Sequence, residues 1–177
     1  MGKIKDNEVR IEILKGDITE RPSDAIVNTS NDMLILGSGL GGAIRAKGGN
    51  AIAEELSKYK NINIGESVIT SGGSLKTKYV IHMALSHFDE PVNEEDIPGA
   101  LLNVLRMANQ YGITTLSIPD ISVGIVRVSP RKTAEKVFST LKKFIETENK
   151  TLRLLEIVLW DIETLHIYQD VYTEIFE

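Results

Sequence analysis

Short apolar runs, each too short for a helix, alternate along this chain with segments whose apolar residues recur at helical spacing. That alternation narrows the fold more than any other feature, because buried strands interleaved with helices imply a mostly parallel sheet between helix layers. Val9 to Lys15 places Val9, Ile11 and Ile13 on one side and Arg10 and Glu12 on the other, which predicts a strand with one buried face. Ala25-Ile26-Val27, between Pro22 and Asn28, reads as a buried strand. Glu66 to Thr70 and Lys78 to His82 read as two more, joined by Ser71-Gly72-Gly73-Ser74, and Thr115 to Ile118 as another, ending at Pro119. Leu154 to Trp160 is a continuous apolar strand apart from Glu156.

The helical segments carry recognisable ends. Ala43 to Leu56 has Ile44, Ala51, Ile52 and Leu56 at roughly helical spacing, and Gly48-Gly49 predicts a break within it. Pro98 to Gln110 has Asp96 as its expected N-cap and Gly112 as its stop. Ser129-Pro130 opens the clearest helix, since serine caps well and proline suits a first turn. A last helix is expected from Glu163 to Phe176. The whole reads as one domain, 1–177, with residues 1–8 as a short flexible extension. Ligands of such sheets sit outside the carboxyl ends of the strands.

Composition removes several function classes. No apolar run approaches the roughly 20 residues of a spanning helix. The opening residues lack a signal-peptide core, and Asp6 stands where a myristoylation signal wants Ser or Thr. A cytoplasmic protein without membrane partners is the expectation. The chain has no cysteine, which excludes disulfides, thiolate zinc sites and cysteine nucleophiles. A net charge of −5 argues against broad nucleic-acid binding. It leaves room for one small anion, because backbone N–H groups hold phosphate whatever the global charge.

Four loops are placed to carry chemistry, each with a plainer alternative. Gly37-Ser38-Gly39-Leu40-Gly41-Gly42 runs into a helix, so its backbone can approach an anion at a helix N-terminus; it also reads as a flexible connection. It fits the dinucleotide fingerprint Gly-x-Gly-x-x-Gly, but Asn28 to Leu36 separate it from the preceding strand, and Glu54 and Glu55 fall inside a helix. Asp120 to Val126 offers the Ser122 hydroxyl and Gly124 as a phosphate nest, or serves as an ordinary connection. In Gly16-Asp17-Ile18-Thr19, Asp17 suits an exocyclic amine or a turn cap. Trp160 suits a stacking platform or a core position closing the sheet.

Taken together, Gly16-Asp17-Ile18-Thr19, Asp24-Ala25-Ile26-Val27-Asn28-Thr29-Ser30-Asn31, the glycine loop, Tyr79-Val80-Ile81-His82 and Pro119 to Ile125 resemble a macro domain from about Val9 onward. The resemblance implies a three-layer α/β/α sandwich with a mixed, mostly parallel central sheet. It implies binding of ADP-ribose or a close derivative, free, phosphorylated or linked to protein, with no cofactor and no metal. Asp17 would take the adenine amine, the Ile18 amide a ring nitrogen, and Trp160 the base face. Ser38, Gly39, Leu40 and Gly41 on one side, and Ser122, Val123, Gly124, Ile125 and Val126 on the other, would clasp the diphosphate. Asn31 would contact the distal ribose.

Some residues depart from that pattern. Ser38 interrupts a usual glycine run, Val126 stands where many members have Phe or Tyr, and Arg127 replaces a glycine. Gly41 stands where a hydrolase branch carries aspartate, and Arg45 where that branch often has histidine. The alternative to a binder is a slow hydrolase of ADP-ribose 1″-phosphate or of mono-ADP-ribosylated protein, with Asn31 orienting a water; Asn31 itself is no base. His82 and His87, five apart, with Asp89, Glu90, Glu94, Glu95 and Asp96 nearby, read as a strand-end histidine beside a solvated acidic loop more readily than as a metal site.

Overall fold

The computed structural model describes residues 8–122 and 128–177. Six strands form one sheet in the order β1-β6-β5-β2-β4-β3. They are β1 (Arg10–Lys15), β2 (Ala25–Asn31), β3 (Ser67–Ser71), β4 (Tyr79–Ser86), β5 (Thr115–Pro119) and β6 (Leu154–Leu159). All neighbours pair in parallel except β3 and β4, which are antiparallel. The lone antiparallel pair is the one whose connection, Gly72 to Lys78, is too short for a crossover.

Alternation along the strands assigns the two faces. Ala25, Val27, Ile81, Leu116, Ile118, Leu155 and Ile157 pack with α3 (Ile97–Gln110), α4 (Pro130–Thr147) and α5 (Ile162–Phe176). Ile26, Val80 and Val158 pack on the other face with Ile44 of α1 (Gly39–Gly48) and Ile52 and Leu56 of α2 (Asn50–Ser57). The result is the expected three-layer sandwich with a mixed, mostly parallel sheet.

Several elements differ from their sequence-based bounds for physical reasons. β2 runs on through Asn28 to Asn31, because its parallel register with β4 continues past the apolar run, with one shift between Ser30 and Asn31. α1 starts at Gly39, so the second half of the glycine loop is the first helical turn. The expected break falls at Gly49, whose φ of 81° separates α1 from α2. Ser129 caps α4 as expected, its Oγ accepting from Lys132 N over 3.2 Å. Asp96 precedes α3 without a side-chain cap bond; Asn93 instead accepts from Glu95 N and caps the short 3₁₀ turn ahead of the helix.

Glu156 is tolerated inside its apolar strand because its charge is fully partnered. Arg21 forms an ion pair with it, and the Ser117 hydroxyl donates to it over 2.8 Å. Asp24 lies at the amino-terminal end of β2, where Thr114 and Thr115 amides donate to its Oδ2 over 2.9 and 3.2 Å. It therefore fastens β5 beside β2 at the end opposite the strand carboxyl termini. Among the described residues, no helix is long and apolar enough to cross a membrane. The expected extension, residues 1–8, lies outside the described residues up to Asn7.

Candidate functional site

A cavity of about 760 Å³ opens at the carboxyl ends of β1, β2, β4, β5 and β6. It brings together segments far apart in sequence: Asp17 and Ile18, Asn31, Gly37 to Gly41, Phe88 to Glu90, Asp120 and Trp160. Such a place follows from the topology, because every parallel strand delivers its exit loop to the same edge.

The N-terminus of α1 forms one wall. The first amide with a carbonyl acceptor behind it is Gly42 N, which donates to Ser38 O over 3.3 Å. The amides of Gly39, Leu40 and Gly41 precede it, and these are the groups a helix start leaves without intrahelical partners. Their dipoles favour an anion there. Glycine is required at two of these positions. Gly39 has a φ of 58°, and a Cβ on Gly42 would sit 2.9 Å from the Gly37 carbonyl oxygen. Ser38 occupies the cap position in extended geometry and lines the cavity, and its hydroxyl makes no cap bond.

At another corner, Asp17 accepts from Thr19 N over 2.9 Å and from Thr19 Oγ1 over 2.6 Å through Oδ1. Lys47 Nζ, from the last turn of α1, donates to Oδ2 over 2.7 Å. Partial burial pushes the Asp17 carboxyl up, but the hydrogen bonds from Lys47 and Thr19 outweigh it and hold the group below its usual range. The turn-cap reading of Asp17 holds, since it caps Ile18–Glu20, and the same residue lines the cavity. Trp160 is 66% exposed and lines the same cavity, which removes the alternative of a core tryptophan.

Asn31 lies at the end of β2. Its Oδ1 accepts from Met33 N and Ile35 N over 3.1 and 3.2 Å, and its Nδ2 donates to Ile35 O over 3.0 Å. Among the described residues, one amide hydrogen of Asn31 has no acceptor. Beside it, Asp32 accepts from Phe88 N over 2.9 Å and from His87 Nδ1 over 2.7 Å. This pair holds the exit loop of β4 against the exit loop of β2. The Asp32 bond raises the pKa of His87, and the His87 bond lowers that of Asp32. Phe88, Asp89 and Glu90 are thereby set on the cavity wall. The sequence placed Asp89 and Glu90 in a solvated loop; only the long-range Asp32 contact reveals their position.

Beneath the cavity, Asn28 and Thr70 flank the buried His82. Asn28 Nδ2 donates to His82 Nδ1 over 3.1 Å, and His82 Nε2 lies 2.9 Å from Thr70 Oγ1, which itself donates to Ser71 O. This pattern assigns the neutral ring with its proton on Nε2. Burial pushes the His82 pKa down to about 4. His82 is therefore a structural ring, remote in role from His87. Among the described residues, no group of three His, Cys, Asp or Glu could hold a metal ion.

Ser122 turns back on its own loop: its N and Oγ donate to Asp120 Oδ1 over 2.8 and 2.5 Å. The expected clasp residues Val123, Gly124, Ile125 and Val126, with Arg127, lie outside the described residues.

A six-stranded, mostly parallel sheet between helix layers, with a helix N-terminus facing a cleft at its carboxyl edge, defines a three-layer α/β/α domain with one candidate site. The sequence matches the Macro domain family over residues 27–137, and the chain belongs to that family. It is 33% identical over 165 residues to O-acetyl-ADP-ribose deacetylase 2 of Pantoea vagans, covering 90% of this chain and 96% of that protein. It is 34% identical over 172 residues to an uncharacterised protein of Fusobacterium nucleatum, covering 94% and 97%. The fold superimposes on the Oceanobacillus iheyensis macrodomain solved with ADP, at a TM-score of 0.85 and 26% identity, covering 97% of this chain and 94% of that one.

Proposed function

We propose that this chain binds ADP-ribose or a close derivative, with the diphosphate on the Gly39 to Gly41 amides. The observation that carries this reading is the meeting, in one cavity, of that helix start with Asp17 and Trp160 on one side and Asn31 on another. An anion seat alone fits many phosphates. An amine-accepting carboxylate with an exposed indole selects an adenine-like base, and Asn31 offers its remaining amide hydrogen to a ribose hydroxyl. The relatives named for ADP and for O-acetyl-ADP-ribose support the same ligand class. The Asn31 end lies among the exposed side chains of Met33, Ile35 and Phe88, which suits a ligand still attached to protein. We place its action in the cytoplasm.

A second reading, slow hydrolysis, is favoured by the relative named as a deacetylase. Gly41 supplies no carboxylate. The cavity-lining carboxylates besides Asp17 are Asp89, Glu90 and Asp120, so any base would come from the other walls.

The test is calorimetry with ADP-ribose against AMP, ATP and NAD, followed by turnover assays on ADP-ribose 1″-phosphate, the O-acetyl ester and mono-ADP-ribosylated protein. ADP-ribose is expected to bind most tightly; equal or absent binding of all four overturns the reading.

A further inference from the structure

Lys47 does not line the cavity, yet its three ammonium hydrogens are all directed at the corner that does. Nζ donates to Asp17 Oδ2 over 2.7 Å, to Thr19 Oγ1 over 2.9 Å and to Glu20 Oε1 over 3.3 Å. Thr19 in turn fixes the other oxygen of Asp17. Glu20 is shared with Lys76 at 2.9 Å, so one charge network closes around the carboxylate. Each oxygen of Asp17 thus has a protein donor, and the group can neither rotate freely nor take a proton without breaking one of these bonds.

We infer that Lys47 is a positioning residue that sets which base the site accepts. The inference rests on the reading of Asp17 as the base-contacting carboxylate. A carboxylate held ionised only accepts hydrogen bonds. It pairs with the 6-amino group of adenine and opposes the 6-oxo group of hypoxanthine, where two acceptors would meet. Discrimination of this kind comes from leaving a polar group unpaired with the wrong ligand. Without Lys47, Thr19 still holds Oδ1, but Oδ2 loses its charged donor and is no longer fixed toward the base. The adenine ligand then loses its advantage.

The experiment is calorimetry of the wild type, Lys47→Met and Lys47→Arg with ADP-ribose and with its deaminated, hypoxanthine-containing counterpart. The wild type is expected to prefer the adenine ligand by about tenfold or more. Lys47→Met, which removes an ion pair at a partly exposed site, is expected to narrow that ratio by about threefold or more. Lys47→Arg is expected to restore it. A merely structural role would weaken both ligands alike and leave the ratio unchanged. A wild type that binds ADP-ribose, with an unchanged ratio in Lys47→Met, overturns this inference alone. A wild type that binds neither ligand overturns it together with the proposed function.

Discussion

Asn28 and His82 stand opposite each other in the register of β2 and β4, with the Asn28 amide donating to His82 Nδ1 over 3.1 Å. A proton on Nδ1 would break that bond and place a charge in the sheet. His82 has an ordinary value of 6.5 and a folded value of about 4. Between these values the unfolded chain binds a proton that the folded chain refuses, so this group's contribution is intact above pH 6.5 and is lost as pH falls toward 4. The loss expected from pH 7 to pH 5 is about 2 kcal/mol. His87, whose pKa is raised, acts in the opposite sense, its contribution fading as pH rises through its folded value. Urea denaturation at the two pH values, on the wild type and His82→Gln, separates the two. The pH dependence is expected to shrink in the variant; an unchanged slope sinks the assignment.

Adjacent glycines in α1 are expected to differ sharply. A Cβ on Gly42 would press on the Gly37 carbonyl at 2.9 Å, whereas one on Gly41 meets Leu36 at an ordinary 3.4 Å. Gly42→Val is expected to lose about 1–3 kcal/mol of stability, the cost of overpacking. Gly41→Asp is expected to fold normally and to add the carboxylate that the resemblance to the hydrolase branch associates with turnover. Thermal melts and a de-ADP-ribosylation assay check both; a gain of activity is expected only in Gly41→Asp.

Because Trp160 is the sole tryptophan, its fluorescence reports directly on that rim of the cavity. ADP-ribose is expected to change the emission. Trp160→Ala is expected to weaken binding by about 1–3 kcal/mol through lost stacking, with no loss of fold stability, since the side chain is exposed. Full affinity in the variant would remove the stacking role.

Asp17→Ala is expected to weaken ADP-ribose binding by about 1.5–3 kcal/mol, the range of hydrogen bonds to charged groups. Its third of exposure places the effect at the lower end. Calorimetry showing equal affinity would move the base elsewhere in the cavity.

The sequence carried the layers of this fold because strand and helix periodicities are local. By residue type and spacing it put Asp17, Trp160 and the glycine loop at strand exits, as the structure does, but it left each with a plainer alternative that only the resemblance set aside. It stopped β2 at Val27, since Asn28 to Asn31 look like a loop when read without β4 beside them. It started α1 at Ala43, since glycines are poor helix formers and packing overrode their propensity. The Lys47–Asp17 and His87–Asp32 pairs span 30 and 55 residues, and no local pattern announces a contact over such separations.

One helix bears on both ends of the proposed site, directly at its first turn and through Asp17 at its last. The first turn of α1 holds the phosphate seat, and its last turn holds the lysine that orients Asp17. Eight residues separate Gly39 from Lys47, a rise of roughly 12 Å along a rigid rod. If the proposed ligand sits there, the length of α1 sets the spacing between its phosphate seat and the carboxylate at its base, so that a shorter or longer spacer would reach only one of them.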